Sequence, residues 1–187
     1  MERTATLVVN SIALHLPIRV SGDTPLIRSA RVDDVPQMAD LVNFYAAQGL
    51  MLPKSEAQLY NHVRDFVVAD AGGTVVGCGG LKVTWRNLAE IVSLAVAPAY
   101  QGRGIGRALV LPLIEEAREL QIPTVFTLTY QIDFFAKLSF RIVPKHTLSQ
   151  KVWQDCVFCS KQARCDETAM IRETSRQQSA PPYKADS

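Results

Sequence analysis

Three things are scarce in this chain of 187 residues, and each scarcity removes a class of function. Excess charge of one sign is the first: twenty Lys and Arg stand against eighteen Asp and Glu, a formal net charge of +2. Such a balance carries no polyanion-binding footprint, so nucleic acid is not an expected partner. Long apolar runs are the second. A membrane span needs roughly 18 to 20 consecutive apolar residues, and the apolar early stretch "LVVNSIALHLPI" is interrupted by Asn10, His15 and Pro17. No Lys/Arg-rich segment precedes it and no small-residue cleavage site follows, so residues 1–24 read as a leader whose order the sequence leaves open, with no membrane partner expected. Cysteine is the third: four residues, at 78, 156, 159 and 165, are too few and too clustered for a disulfide framework. A reducing, cytoplasmic setting is expected. No repeat with a period of about 20 to 50 residues is present either, which excludes a solenoid.

What is present suits one folded domain: 48% hydrophobic residues are enough to bury a core, and 20% charged residues are enough to solvate its surface. "PLIRSAR" reads as a first short strand. "DDVPQMADLVNFYAAQGL" follows as a helix with Met38, Leu41, Val42 and Tyr45 at helical spacing, Pro36 in its first turn and Gly49 as a stop. "SEAQLYNHVRDF" opens a second helix with Ser55 and Gln58 in capping-box register. The period then changes. "FVVAD" and "TVVGCGGLKVTW", joined by the turn residues Ala71 to Gly73, read as an antiparallel hairpin, and "LAEIVSLAVAP" continues as another strand.

From Gly104 to Leu120 the apolar residues Ile105, Leu109, Val110, Leu113, Ile114 and Ala117 mark one face of a helix. "TVFTLTY" follows as a buried strand, "DFFAKLSF" as a short helix running into the next strand, and "TAMIRE" as the last strand. The order β-α-α-β-β-β-α-β-α-β predicts an α/β or α+β domain over residues 25–172 around a mixed sheet. The polar, proline-bearing residues 173–187 are expected to form a disordered tail.

The stretch "YQGRGIGRAL", Tyr100 to Leu109, sets three glycines and two arginines between a strand and a helix. Free N–H groups at a helix start, with the helix dipole behind them, favour an anion. Gly102, Gly104 and Gly106 remove side chains that would hold a phosphate away, and Arg103 and Arg107 offer charge-assisted hydrogen bonds. The plainer alternative is a tight strand-to-helix turn. Walker A is excluded because Gly-Lys-Ser/Thr is missing, and the dinucleotide fingerprint because Arg107 stands where a small residue is needed.

"QGRGIG", Gln101 to Gly106, follows a strand ending "SLAVAP" and precedes "FFAKLSF", and in that context it resembles the acetyl-coenzyme A loop of the GNAT superfamily of N-acetyltransferases. The resemblance implies the GNAT fold, a mixed and mostly antiparallel central sheet flanked by helices, with acetyl-CoA as cosubstrate. It also implies that Gln101, Gly102, Arg103, Gly104, Ile105, Gly106 and Arg107 hold the pyrophosphate, and that the pantetheine arm pairs with the backbone of Leu94, Ala95 and Val96. A splayed strand would satisfy that arm as it satisfies an added strand, and a bulge there would aim an N–H at the thioester oxygen.

An amine must be deprotonated before it attacks a thioester, so a base is required beside it. Glu90, in an otherwise apolar strand, is the candidate the resemblance implies. A solvent-facing strand-end carboxylate is the alternative, and inward burial would favour the role of base because desolvation raises a carboxylate's pKa. Many members place a tyrosine acid in the short helix where this chain has Phe134 and Phe135, which leaves Tyr130 as the candidate acid, or else as a buried aromatic with a satisfied hydroxyl.

"GLMLPKS", "RDFVVAD", "LAEIVSLAV", "LTYQIDFFAKLSF" and "LSQKVWQDC" together resemble the short amino-acid N-acetyltransferases, or N-acetylglutamate synthases, of the first step of arginine biosynthesis. The implied acceptor is L-glutamate. Lys54, Arg64, Lys82, Arg86 and Lys151 are available cations, Lys54 foremost, because its segment walls the acceptor pocket in the superfamily. Where this branch often has an arginine after "EI", Val92 stands. Other amines remain as alternative acceptors, as does a non-catalytic CoA-binding regulatory module, and a homodimer is left open.

Cys156, Cys159 and Cys165 form a C-x2-C-x5-C group near Asp155, Asp166 and His146. This spacing suits a structural zinc, a redox pair or three reduced thiols in a loop, and a second C-x2-C is missing. Cys78, in an apolar strand, is expected in the core.

Overall fold

The computed structural model describes residues 24–148 and 165–174. The expectations for the leader, for the tail beyond residue 174, and for Lys151, Cys156 and Cys159 lie outside the described residues.

Among the described residues seven strands form one sheet in the order β1-β2-β3-β4-β5-β7-β6: β1 Leu26–Ser29, β2 Phe66–Ala71, β3 Thr74–Trp85, β4 Leu88–Val96, β5 Thr124–Thr129, β6 Arg141–Ile142 and β7 Thr168–Glu173. Among the described residues four α-helices accompany them: α1 Val35–Ala46, α2 Glu56–Asn61, α3 Ile105–Glu119 and α4 Ile132–Ala136. Every adjacent pair is antiparallel except β4 and β5, which are parallel. This is the mostly antiparallel, helix-flanked sheet expected from the sequence. No helix among the described residues is long and apolar enough to cross a membrane.

Local chemistry explains the elements. Gly72 and Gly73, at φ 66° and 95°, supply the left-handed turn between β2 and β3, and Asp70 Oδ1 accepts the Gly73 N–H at 2.6 Å. At α2, Ser55 Oγ accepts the Gln58 N–H at 3.2 Å while Gln58 Oε1 accepts the Ser55 N–H at 2.8 Å, as the capping-box spacing predicts.

The sheet divides two apolar clusters. On one face Leu109, Val110, Leu113, Ile114 and Ala117 of α3 meet Ala89, Ile91 and Val125. On the other, Val35, Met38, Leu41 and Val42 of α1 and Leu59 of α2 meet Val68, Cys78 and Ala95. Cys78 is fully buried, as expected, and burial pushes its thiol up to about 12, where it stays neutral. The packed chain extends past residue 172. β7 runs to Glu173, and buried Thr174 donates its N–H to Pro123 at 2.9 Å and its hydroxyl to Ile122 at 2.5 Å.

Two features of the pairing go beyond what periodicity shows, and the resemblance anticipated the second, a splayed strand. β6 is only two residues long, too short to leave a periodic signal. β4 and β5 stay in register over three pairs, Leu88↔Thr124, Ala89↔Val125 and Glu90↔Phe126, and then part. β4 continues with β3 while β5 continues with β7, so the sheet opens as a wedge toward the C-terminal ends of the two strands.

Candidate functional site

The wedge sets the geometry of the site. Along its β4 side a bulge interrupts the ladder with β3: Cys78 pairs with Ala95 and Gly80 with Val92, so Gly79 alone faces both Ser93 and Leu94. Ser93 takes φ 51°, a left-handed conformation that a non-glycine residue adopts at some cost. The extra residue resets the alternation of the strand. Ile91 and Leu94 both pack toward α3, whereas Val92 and Ala95 both pack toward α1. The Cys78 thiol donates to the Ser93 carbonyl at 3.6 Å and helps hold the bulge from the neighbouring strand.

Beyond β4, a single 3-10 turn over Pro98–Tyr100 carries the chain to the glycine loop. Gly102 and Gly104 sit at φ 73° and 80°, and a side-chain carbon at either would meet nothing within 4 Å. Both are therefore open to a ligand. Gly104 begins α3 without a side-chain cap, and its carbonyl accepts the Ala108 N–H at 3.0 Å, so the N–H groups of Ile105, Gly106 and Arg107 precede the first helical bond. Arg103 and Arg107 are exposed beside them, with the Arg103 guanidinium 5.3 Å from the Tyr100 ring centroid. These groups fit a phosphate: open backbone, donors in a row and two cations.

The third glycine has a different use. A carbon on Gly106 would lie 3.1 Å from Cε2 and Cζ of Phe134 in α4, so the missing side chain makes room for that ring rather than for a ligand. Phe134 in turn meets Phe135 edge-on at 5.0 Å between centroids. The phenylalanines of this short helix thus lock α4 against the start of α3.

The far side of the wedge reaches back to α1. The Tyr45 hydroxyl donates to the Val96 carbonyl at 2.5 Å and accepts Gln101 Nε2 at 2.8 Å, while Gln101 also reaches the same carbonyl at 3.3 Å. Burial pushes the Tyr45 phenol up, so its proton stays available to donate. Two residues earlier, Asn43 grips the segment between α1 and α2: its Nδ2 donates to the Lys54 carbonyl at 2.9 Å and its Oδ1 accepts the Lys54 N–H at 3.1 Å. Lys54 is half-buried there.

Glu90 lies at the closed end of the wedge, half-buried, opposite Lys82 on β3 and beside Phe126 on β5. Its neighbours Ala89 and Ile91 face α3, so Glu90 takes the α1 side of the sheet, as Val92 does. Tyr130, directly after β5, donates its hydroxyl to Asp166 Oδ1 at 2.6 Å. Of the other candidate cations, Arg64 and Arg86 are exposed and Lys82 is half-buried. Cys165 is half-buried, its carbonyl accepting Lys145 Nζ at 2.5 Å, and among the described residues no group of three or more His, Cys, Asp or Glu is placed to hold a metal.

Sequence reading missed Tyr45, Asn43 and Ser93. Tyr45 falls on the apolar stripe of α1 and reads as core, and its polar end becomes visible only when Val96 and Gln101 are brought to it. Asn43 gives no local signal at all. Ser93 sits in an ordinary strand pattern, and only the pairing of its neighbours exposes the bulge.

The family model described as "Acetyltransferase (GNAT) family" matches residues 36–140. An amino-acid acetyltransferase of Mycobacterium tuberculosis is 42% identical over 70% of this chain and 76% of its own length. An uncharacterized N-acetyltransferase of Chlorobaculum tepidum is 38% identical over 78% of this chain and 94% of its own. Among solved structures, a Mycobacterium tuberculosis protein in complex with CoA and NLQ superposes with TM-score 0.69 at 35% identity, covering 79% of this chain and 98% of that one. N-acetylglutamate synthase from Neisseria gonorrhoeae, complexed with coenzyme A and N-acetyl-glutamate, superposes with TM-score 0.73 at 28% identity over 80% of this chain but only 35% of that longer one.

Proposed function

Since the chain belongs to the acetyltransferase (GNAT) family, we propose that it acetylates the α-amine of an amino acid, L-glutamate foremost, with acetyl-CoA as the donor. It is an acyltransferase, and amino-acid acetyltransferases among its relatives and CoA-bound neighbours support the donor and the acceptor class. The observation that carries the reading is the wedge between β4 and β5, which opens beside an uncapped helix start with two open glycines.

In this reading the pyrophosphate lies on the N–H groups of Gly102 to Arg107, with Arg103 and Arg107 as counter-charges. The pantetheine arm runs along Leu94, Ala95 and Val96 as an added strand. The bulge at Ser93 and Leu94 directs backbone toward the thioester oxygen, where a donor stabilises developing negative charge. Glu90 takes a proton from the substrate ammonium, directly or through one water, and the freed lone pair attacks the thioester carbonyl carbon. The tetrahedral adduct collapses with cleavage of the C–S bond, and the nitrogen gives up its remaining extra proton to solvent as the neutral amide forms. A thiol with an ordinary pKa near 8.5 leaves readily as thiolate and needs little help from an acid. Tyr130 is the proposed proton source; its single hydroxyl proton is directed to Asp166 and must turn from it to reach the thiolate, the phenol then regaining a proton from solvent.

Lys54, fixed by Asn43 in the segment between α1 and α2, is the proposed partner of an acceptor carboxylate. A second reading has its own support: Val92 packs among apolar residues and supplies no charge, which favours an amino acid with an uncharged side chain. Release of free CoA from acetyl-CoA, followed with a panel of amino acids and polyamines, tests both. Glutamate is expected to give the highest kcat/KM. Faster turnover of an uncharged amino acid, lysine or a polyamine would overturn the glutamate assignment, and no release with any amine despite CoA binding would overturn the enzymatic one.

A further inference from the structure

The C-terminal turn of α1 makes two connections that acetyl transfer itself does not require. Tyr45 ties α1 to the glycine loop through Gln101 and to the end of β4 through the Val96 carbonyl. Asn43 ties the same turn to the main chain of Lys54. Tyr45 is held in turn: its ring meets Phe44 edge-on at 5.0 Å and packs against the buried cluster of α1, α2 and β3.

The direction of the Val96 carbonyl gives this contact its meaning. Ala97 donates its N–H to Val76 on β3 at 2.8 Å, so the peptide groups of Val96, one residue earlier, point away from β3 and into the wedge. With two donors on it, that carbonyl marks the corner at which an arm lying along β4 must give way to phosphates on the loop. We propose that Tyr45 is a positioning residue of the cosubstrate site, holding Gln101 and the Val96 carbonyl so that strand edge and glycine loop receive the donor in one fixed geometry. This rests on the CoA-binding reading above and goes beyond it in naming α1 as the element that sets the corner. Through Asn43 the same turn fixes the segment on which the acceptor is proposed to rest.

The physical basis is preorganisation. Two hydrogen bonds made before binding spare the ligand the entropy of ordering an exposed glycine loop. Tyr45→Phe removes the hydroxyl and keeps the ring in place. The probe is coenzyme A itself, titrated by calorimetry, so the readout needs no acceptor. The variant is expected to bind CoA about 5- to 20-fold more weakly, the loss typical of one or two such bonds, with an equal rise in the KM for acetyl-CoA and little change in the KM for the amine. Gln101→Leu should give a similar loss. The double variant should lose no more than the worse single one, because both act through one network.

Unchanged or tighter binding by Tyr45→Phe would overturn the proposal, as would independent, multiplying losses in the double variant. Thermal melts of all three variants identify any general loss of fold, and a damaged Tyr45→Phe fold leaves Gln101→Leu, at an exposed position, to decide by the same titration. Failure of the parent protein to bind CoA would overturn the proposed function, and this proposal with it.

Discussion

For Glu90 and Tyr45, the proposed roles rest on position rather than on residue type. Glu90 is one residue from two buried apolar neighbours on a strand otherwise built to pack, yet it takes the opposite face and stands where β4 and β5 begin to part. A carboxylate at the closed end of a cleft is well placed to accept a proton from an amine entering at the open end. Glu90→Gln keeps the shape and removes the basicity. Its kcat is expected to fall about 10²- to 10⁴-fold, the usual contribution of a general base, while CoA affinity stays within about twofold. Steady-state rates between about pH 7 and 9 check it, and full activity across that range would refute the role.

The junction of α3 with α4 is where elements rather than residues decide the outcome. Gly106 leaves the space that Phe134 occupies, and α3 and α4 thereby fix each other close to the glycine turn. Gly106→Ala sets overpacking of the Phe134 ring, about 1–3 kcal/mol where the ring cannot shift, against about 1 kcal/mol gained in helix propensity. A lower denaturation midpoint, with weaker CoA binding as the helix start shifts, is expected if α4 holds that ring in place. Adding Phe134→Leu, which trades a ring for a smaller side chain, should restore part of both; no restoration would point to another cause.

How much of this was legible from the sequence follows the range of the interactions. Ser55 and Gln58 are three residues apart, so their reciprocal bonds could be read directly, and so could the apolar face of α3 and the glycines of the loop. The meeting of Gly106 with Phe134, of Tyr45 with Gln101 and of Asn43 with Lys54 joins residues on different elements, and spacing along the chain carries no record of it. The parting of β4 from β5 is likewise a property of pairing, although the resemblance of the loop and its flanking strands anticipated a splayed strand.

At the scale of the molecule, an ion-pair knot ties the first strand to the rest. Arg28 reaches both oxygens of Asp34, at 2.6 and 2.8 Å, and Asp70 at 2.9 Å, while Asp34 also accepts the Arg31 N–H at 2.7 Å. Their side chains are at most 18% exposed, so solvent screens them only partly. The Arg28 guanidinium holds the Asp34 carboxyl below its ordinary value of 3.8, and the Gly73 N–H, followed by Arg28, does the same for Asp70. A depressed carboxylate adds stability that is complete above its unfolded pKa and is lost as pH falls through the folded value. Asp34→Asn should lower unfolding free energy by about 2–3 kcal/mol at neutral pH. That deficit should shrink as pH drops below 3.8. Urea titrations of both proteins at several pH values measure it, and a deficit that does not change with pH would exclude the ion pair as its source.

The wedge also has a consequence for the order of events in a catalytic cycle. A donor bound along β4, as proposed, would fill the gap between two half-sheets, so after transfer the spent carrier would remain zipped into the protein as if it were part of the fold. In that reading it would leave by peeling, one backbone contact after another, from a strand that the bulge in its ladder with β3 keeps irregular. If the donor lies there as proposed, the irregularity at Ser93 is expected to ease departure as well as serve the chemistry. A straight β4 would hold the product longer, and turnover would then be set by its exit.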